Sequence, residues 1–262
     1  MNDIMIRAGI FLILLIILIS WELLNPKRKL QNNKFHRWVT NLSLIGLNNV
    51  VVIIIIPFST IGVAHMTEQN SLGLFNSFSM NDSLIFFLSI LILDFIIYIQ
   101  HVIFHRVPAF WRFHKIHHID KDIDVTTGLR FHPVEIVLSL GIKFIFIILL
   151  GVPVLPILFF EIILNGMAMF NHANIQIPKK VDNILRYFLV TPDMHRVHHS
   201  VNTFELNSNF GFNLSIWDRI LGTYIKKPLN GHTDMTIGLE KYQNKHGINI
   251  LILLIIPFLK KK

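Results

Sequence analysis

The chain has 262 residues, 52% of them hydrophobic and 15% charged, which excludes an ordinary soluble domain and indicates an integral membrane protein. The net charge of +8 does not indicate nucleic acid, because the basic residues lie beside apolar runs where an anionic lipid surface is the fitting partner. The sequence contains no cysteine, so disulfides and thiolate metal ligands are excluded. We expect a single domain over residues 1–262, because its membrane helices share one core.

The first apolar run, residues 4–24, is long enough to cross a bilayer. A basic cluster at residues 27–29 follows this run instead of preceding it, so we expect a membrane helix and not a cleaved secretory signal. The positive-inside rule then predicts that the cluster is cytoplasmic and that the N-terminus is outside. The orientation is the same whether the cluster binds anionic lipid or is only a basic linker.

A second membrane span is predicted at residues 39–57. It carries Asn41, Asn48 and Asn49, whose amides need polar partners inside a helical bundle. Residues 58–82 contain no lysine or arginine, as is typical of a loop outside the cytoplasm.

The second half of the chain predicts a helical hairpin and a polar cap. Residues 131–150 and 153–170 are apolar and flank a Gly-Val-Pro turn, so two adjacent spans are the simplest interpretation. Residues 172–246 are more polar and are expected to form a cytoplasmic cap. Residues 248–259 are apolar but short, and three lysines follow them, which favours a membrane-surface helix over a span. The predicted fold is an all-α, multi-pass bundle of four to five membrane helices with a cytoplasmic, histidine-rich cap.

Histidine is concentrated where the apolar spans end. A span at residues 83–104 leads into His101 and His105, which are four residues apart and therefore share one helical face. Two later clusters have the spacing i, i+3, i+4, which also predicts one helical face for each. They are His114, His117 and His118, and then His195, His198 and His199. Four isolated histidines are interpreted as surface or satisfied core residues: His36, His65, His232 and His246.

The clusters predict metal binding. Polar groups at a membrane boundary are costly unless paired, and neutral imidazoles that converge on one point bind Zn, Cu, Fe or Ni. The eight clustered histidines, with His172 as a ninth, exceed the roughly six ligands of one octahedral ion, so two ions are predicted. Nearby acids would orient the rings and balance the charge, the alternative for each being an exposed or helix-capping carboxylate. These acids are Asp94, Glu135, Asp193 and Asp218.

The same motifs resemble the fatty acid hydroxylase/sterol desaturase superfamily. HxxxH at residues 101–105 and HxxHH at residues 114–118 and 195–199 are similar to the histidine boxes of that family. The resemblance covers a core of about residues 94–224. It includes Arg130-Phe131-His132-Pro133, Asn171-His172, Thr191-Pro192-Asp193-Met194, Asn209-Phe210-Gly211 and Trp217-Asp218-Arg219.

This resemblance implies a di-iron membrane enzyme that uses O2 and two electrons to hydroxylate or desaturate a lipid. By position, the eight clustered histidines and His172 match the ligands of the family, and no catalytic side chain is expected beyond the metal centre. His132 is interpreted as a residue that orients a ligand. Electrons are expected from a separate protein of the cytochrome b5 or ferredoxin type.

Chemistry independently favours iron. Zinc can replace it in a purified sample, but zinc has no redox chemistry, and oxidation of an unactivated C–H bond requires a metal that takes up electrons. The expected substrate is a sterol, a fatty acyl chain, an ether lipid or a similar lipid whose tail stays in the bilayer. Hydroxylation is slightly favoured over desaturation, and the sequence leaves that choice open.

Two other classes of protein compete with a lipid oxidase. A membrane zinc hydrolase needs a catalytic carboxylate beside the metal, as in HExxH, and Glu135 is the only weak substitute. A non-catalytic metal-binding or transport protein would hold its ligands near the middle of the bilayer, whereas the clustered histidines of this sequence lie at one edge of the bilayer.

Three smaller features stay open between structural and functional roles. Trp217-Asp218-Arg219 is either a latch that packs the cap against the clusters or an ordinary helix-end ion pair. Arg130 and Arg196 either meet a lipid headgroup or have a structural role beside the nearby acids.

Overall fold

The computed structural model describes residues 2–244 and 248–259, and these residues form helices joined by short connections. Only isolated antiparallel bridges, such as Pro26 with Ile175, occur as extended pairings in this part of the chain. The α-helices are α1 Asn2–Leu24, α2 Lys34–Ile55, α3 Thr60–Gln69, α4 Asp82–Arg106, α5 Pro108–His118, α6 Pro133–Leu150, α7 Val154–His172, α8 Lys179–Leu185, α9 Pro192–His198, α10 Thr203–Leu206, α11 Ile216–Ile220, α12 Gly231–Asp234 and α13 Ile250–Ile255. Short 3₁₀ turns lie at Leu74–Ser77, Val125–Leu129, Glu240–Tyr242 and Ile256–Phe258.

Five stretches of the described helices are long and apolar enough to cross a membrane. They are Met5–Leu24, Lys34–Ser77, Asp82–Arg106, Pro133–Leu150 and Val154–His172. Large apolar side chains on their outer faces, such as Leu12 and Ile53, are exposed, as lipid-facing positions require. The predicted multi-pass helical bundle is therefore confirmed.

Residues 58–82, predicted to be a loop, contain a helix instead. α3 begins after Ser59, whose hydroxyl oxygen accepts a hydrogen bond from the Gly62 N–H at 3.0 Å. Val63 and Phe75 are buried in one apolar cluster with residues of α4, α6 and α7. The lack of lysine and arginine describes the charge of this segment but not its packing, and for that reason the prediction of a loop was wrong.

The predicted helical hairpin is present as α6 and α7. α6 ends at Gly151, which has φ +68°, a left-handed conformation that glycine adopts without the steric cost of a Cβ atom. The backbone of Gly73 lies directly against this turn, so closely that a Cβ atom on Gly73 would overlap the Gly151 nitrogen. Two glycines therefore allow the 3₁₀ segment after α3 to close over the hairpin.

A proline reverses the chain between α4 and α5. α4 ends at Arg106, and Pro108 occupies the first turn of α5, where its fixed φ and missing N–H are tolerated. Phe104 and Phe110 stack across the reversal with ring centroids 5.3 Å apart. The histidine-bearing face of α4 thereby turns towards that of α5.

Polar residues attach α2 to the connection between α5 and α6. Asn41 donates a hydrogen bond to the Thr126 hydroxyl at 2.9 Å, and Asn48 donates one to the Phe131 carbonyl at 3.0 Å. These two asparagines have the bundle-interior partners that the sequence analysis expected. Asn49 is exposed, so that expectation was wrong there, because one residue along a helix turns the side chain by roughly 100°.

Two buried arginines have structural roles. Arg130 donates hydrogen bonds to the Ile116 carbonyl at 2.9 Å and to the Asn41 side chain at 2.8 Å. Arg196 is fully buried and pairs with Asp193. Both guanidinium groups are buried against protein partners, which is the structural role of the second alternative.

The last described segment packs on the bundle. α13 has six residues, too few to span a membrane, and its Leu253 is buried with Leu44 of α2 and Ile116 of α5. Lys260, Lys261, Lys262 and His246 lie outside the described residues. The membrane-surface role of this segment stays a prediction.

Candidate metal centre

Nine histidines from distant parts of the chain gather into two adjacent groups. Within each group, the potential ligand atoms all lie within 4.8 Å of one another. The five-histidine cluster contains His101, His105, His114, His118 and His198. The four-histidine cluster contains His117, His172, His195 and His199. His105 is half-buried and the other eight are buried.

The two HxxHH motifs are each divided between the clusters. In α5, His114 and His118 are one helical turn apart and join the five-histidine cluster, whereas His117 joins the other. At the end of α9 the division is reversed, since His198 alone belongs to the five-histidine cluster. The sequence analysis placed each motif on one face and did not foresee this division. α5 and α9 each contribute to both clusters and hold them side by side.

Hydrogen bonds to carbonyl oxygens fix the protonation of three rings. His101 Nδ1 lies 2.8 Å from the Phe210 oxygen, and His198 Nδ1 lies 2.7 Å from the Ser208 oxygen. In the same way, His172 Nδ1 lies 2.6 Å from a backbone oxygen one turn earlier in α7. A carbonyl oxygen only accepts, so each Nδ1 carries the proton and each neutral ring presents its lone pair at Nε2.

Burial keeps five of the clustered imidazoles neutral. It lowers the pKa of His198 to about 3. It also lowers the pKa of four other buried rings well below the usual value, and neighbouring imidazoles lower it further. These rings are His117, His118, His195 and His199. Neutral imidazole is the form that binds a metal ion.

The Nε2 atoms are too crowded for an ordinary hydrogen-bond network. His172 Nε2 lies 3.0 Å from the Nε2 atoms of both His117 and His195, and 3.1 Å from that of His199. One lone pair accepts one proton, so it cannot bind three ring nitrogens. Nitrogens bound at about 2.1 Å to one ion, at right angles, would lie about 3.0 Å apart. The spacing in the four-histidine cluster therefore fits a shared cation.

The five-histidine cluster shows the same pattern. His114 Nε2 lies 3.2 Å from the Nε2 atoms of both His101 and His118. The Nε2 atoms of His105 and His198 are buried and have no hydrogen-bond partner in the described part of the chain. Buried polar atoms are normally paired, and a metal ion would satisfy both nitrogens. The nine side chains thus fit two ions, one for each cluster.

Glu135 is the only one of the four predicted acids that contacts a clustered imidazole within the described residues. Its Oε1 lies 2.6 Å from His114 Nδ1, and both side chains are buried. The carboxylate accepts a hydrogen bond from the Nδ1–H group, which directs the Nε2 lone pair of His114 into the cluster. Pro133 begins α6 and places Glu135 in its first turn, beside α5.

Asp94 and Asp218 hold the cap instead of an imidazole. Asp94 accepts a hydrogen bond from the Trp217 indole at 2.8 Å. Asp218 accepts from the backbone N–H groups of Phe210 and Gly211, both at 2.7 Å. Since the Phe210 carbonyl contacts His101, Asp218 positions that ring through the backbone. Trp217-Asp218-Arg219 is therefore the latch of the first alternative.

The remaining predicted residues lie beside the centre. Asp193 pairs with Arg196 and with Lys27, the latter at 3.0 Å. His132 caps α6, where its Nδ1 accepts a hydrogen bond from the Val134 N–H at 3.1 Å, and it contacts aromatic rings rather than either cluster in the described residues. Of the isolated histidines, His36 and His65 are exposed and His232 is half-buried, 3.9 Å from Asp193.

The sequence analysis missed two residues that shape the four-histidine cluster. Phe131 stacks on His117 at 4.7 Å between ring centroids, although the surrounding motif drew attention to His132. Gly128 allows the backbone to approach α7, because a Cβ atom there would lie 2.5 Å from the Ala168 oxygen and 3.2 Å from His172 Nδ1. A glycine three residues before the Phe-His-Pro motif is too weak a signal to be found without the fold.

A cavity of about 270 Å³ lies beside the five-histidine cluster. His101 and His114 contribute to its wall, and the rest of the lining comes mainly from α2, α4, α6 and α7. These helices belong to the candidate membrane spans. The cavity therefore connects the histidine centre with the interior of the helical bundle.

The fold and the two clusters define a membrane protein with a buried polyhistidine centre. Residues 86–223, more than half of the chain, match the family model described as fatty acid hydroxylase, and the chain belongs to this family. The family match confirms the resemblance that the histidine motifs indicated.

Three curated relatives illustrate the similarity. Ornithine lipid hydroxylase OlsE of Rhizobium tropici is 32% identical over 150 residues, covering 57% of this chain and 44% of the relative. Alkylglycerol monooxygenase of Xenopus tropicalis is 31% identical over 163 residues, covering 60% and 34%. Cholesterol 25-hydroxylase of Homo sapiens is 27% identical over 137 residues, covering 51% and 48%. The matches span between a third and a half of each relative, and no solved structure matches the chain significantly.

Proposed function

We propose that the protein is a di-iron, O2-dependent membrane enzyme that hydroxylates a C–H bond of a lipid. The observation that carries this proposal is the convergence of nine imidazoles, eight of them buried, into two clusters whose Nε2 atoms approach to 3.0–3.2 Å. Imidazole ligands suit iron as well as zinc, but zinc has no redox chemistry. The curated relatives are named as lipid hydroxylases or monooxygenases, which favours hydroxylation over desaturation.

The two clusters would each hold one ion. The nine neutral imidazoles bring no negative charge, and Glu135 lies behind His114 as a carboxylate that offsets part of the charge at the five-histidine cluster. When bound, iron supplies the activation of O2 and the oxidation of a C–H bond. The side chains of the protein would hold the ions in place and keep the centre dry. Three backbone carbonyls and Glu135 fix the tautomers of four of the rings.

The cavity beside His101 and His114 gives a lipid access to the centre. Its exposed lining residues Asn49 and Asn165 belong to candidate membrane spans, so the cavity opens to the lateral surface of the bundle. A lipid chain entering there keeps most of its apolar surface out of water. Phe104 and Phe212 also line the cavity and exclude water from the reacting part of the lipid.

The cap is proposed to lie on the cytoplasmic side, within a single domain of residues 1–262. Lys27 pairs with Asp193 of the cap, and Arg28 donates to the Met235 carbonyl at 2.7 Å. The basic cluster and the histidine centre therefore share one side of the bundle, and basic loops remain in the cytoplasm. Electrons would come from a separate cytoplasmic donor protein of the cytochrome b5 or ferredoxin type.

The geometry does not favour a zinc hydrolase. Its only candidate base, Glu135, contacts the outer nitrogen of His114 and so orients a ring, whereas a hydrolytic base would face a water on the metal. No specific observation in the described residues supports a transport function.

Oxygen-isotope labelling tests the proposed function. Iron-loaded protein in bilayer discs is supplied with 18O2, a reducing system and total lipid extract, and products are analysed by mass spectrometry. One 18O atom in a hydroxylated lipid is the expected result, with none for the His117→Ala and His198→Ala variants. Equal labelling by the zinc-loaded protein, or no labelling by protein that holds two irons per chain and is reduced by the donor, would contradict the proposal.

A further inference from the structure

The cavity beside the five-histidine cluster is more polar than an alkyl chain requires. Amide, hydroxyl and charged side chains line it, among them Asn48, Gln100, Ser139 and Lys143. All four belong to candidate membrane spans, where a polar group without a partner is costly. A site that accepted only hydrocarbon would be lined by apolar side chains, so this composition needs its own explanation.

Asn48 lines the cavity and carries a buried acceptor without a partner among the described residues. Its side chain is 5% exposed, and its Nδ2 donates to the Phe131 carbonyl at 3.0 Å. Because a carbonyl only accepts, this bond fixes the orientation of the amide and leaves Oδ1 as the free end. Oδ1 is buried and has no hydrogen-bond partner among the described residues.

Two further side chains offer acceptors in the same cavity. Glu135 uses Oε1 to contact His114, and its Oε2 is buried without a partner in the described part of the chain. Gln100 lies with one end of its amide 3.1 Å from the Ser139 hydroxyl, and its Oε1 is likewise buried and unpaired there. Buried acceptors of this kind are rare in folded proteins, and together they indicate a ligand that donates hydrogen bonds.

Lys143, the lysine that lines the cavity, already has an ion-pair partner. Lys143 Nζ lies 3.3 Å from Glu161, which also pairs with Arg7 at 2.7 Å. The buried polar atoms of the described lining that lack a partner are therefore oxygens, and these would repel an anionic headgroup. A neutral donor, such as a hydroxyl or an amide N–H, complements them.

We propose that this cavity selects lipids by a hydrogen-bond donor, a hydroxyl or an amide N–H, which Asn48 Oδ1 accepts. The cavity volume of about 270 Å³ is below that of most ligand pockets, so the cavity holds only a short segment of a lipid. The donor and the reacting carbon consequently belong to the same part of the substrate, and Asn48 determines which carbon reaches the histidine centre. The reaction itself rests on the proposed function, whereas the binding preference does not.

Matched probe lipids test this preference by equilibrium binding to iron-loaded protein in detergent. The pairs are octadecan-1-ol with its methyl ether, and N-octadecylacetamide with its N-methyl derivative, so the members of each pair differ only in the donor. We expect the wild-type protein to bind the donor member about 10–100-fold more tightly, since a buried acceptor left unpaired weakens binding to that extent. Asn48→Leu should reduce the ratio below about threefold, because it removes the acceptor.

Asn183→Leu is the matched control, because it makes the same change on an exposed helical asparagine of α8 that does not line this cavity, and it should keep the wild-type ratio. Iron content and thermal unfolding verify the fold of each variant, and the wild-type ratios decide the question even if Asn48→Leu does not fold. Equal binding within both pairs of probes, or tighter binding of octadecanoate than of octadecanol, would overturn the inference.

The outcome is separable from that of the proposed function. Donor-selective binding by a protein that holds two irons yet incorporates no 18O would refute the reaction and support the cavity assignment. Lipid hydroxylation with no preference between octadecanol and its ether would refute the cavity assignment and support the reaction.

Discussion

Replacement of Glu135 by glutamine should weaken one metal site and spare the other. The Glu135 carboxylate lies 2.6 Å from His114 Nδ1, both groups are buried, and His114 belongs to the five-histidine cluster alone. Glutamine keeps the size of the side chain and one acceptor oxygen but removes the charge. A hydrogen bond to a charged acceptor is roughly twice as strong as one between neutral groups, so about half of this interaction would be lost.

The magnitude follows from what such partners contribute to metal binding. Loss of a group that orients a ligand lowers metal affinity about 10–100-fold, which corresponds to about 1.4–2.8 kcal/mol. We expect Glu135→Gln to lie near the lower end, since it retains an acceptor, and Glu135→Ala near the upper end. The four-histidine cluster should keep its wild-type affinity, because Glu135 contacts none of its rings in the described residues.

The assay is competition with an iron chelator, followed by iron analysis per chain. In Glu135→Gln, one of two irons should leave at about tenfold lower chelator concentration, while the second leaves at the wild-type concentration. Glu240→Gln is a suitable control, because Glu240 is exposed in a 3₁₀ turn. Loss of both irons together, or a wild-type profile for Glu135→Ala, would refute the assignment of Glu135 to one site.

Three other substitutions have defined outcomes. Gly128→Ala should displace His172 and lower the iron content of the four-histidine cluster, because the new methyl group would lie 2.5 Å from a backbone oxygen; unchanged iron analysis would contradict this. Asp218→Ala should lower the free energy of unfolding by about 1–3 kcal/mol, since two buried N–H groups lose their acceptor. Thermal unfolding measures this loss. Arg37→Ala should lower the free energy of unfolding by about 3–5 kcal/mol, because it leaves Asp120 buried without its ion pair. The loss would be seen as less folded protein in detergent, and wild-type stability would exclude a stabilising role for this ion pair.

Much of the fold could be predicted because hydropathy reports directly on membrane helices. The apolar runs predicted the bundle, and the Gly-Val-Pro turn at residues 151–153 predicted the hairpin. Charge counting failed for α3, whose packing depends on Val63 and Phe75 meeting other helices. The expectation of an interior partner for Asn49 failed for a different reason. Tertiary packing decides which face of a helix points inward, and the polarity of a side chain does not reveal that face.

The site was predictable as a set of residues but not as an arrangement. Helical spacing brought the histidines of each motif together, yet the assignment of His117 and His198 to different clusters depends on how α5 and α9 lie relative to each other. The acids show the same limit. Only contacts distinguish Glu135, which orients His114, from Asp94, which holds Trp217. Composition and spacing are the same for either role.

The metal content of the purified, iron-loaded protein tests the central claim most directly. Iron per chain is measured for the wild type and for His117→Ala and His198→Ala, which alter the four-histidine and the five-histidine cluster respectively. Two irons in the wild type and at least one lost in each variant are the predicted results. A single ion per chain in the wild type, or two irons retained in both variants, would contradict the paired centre.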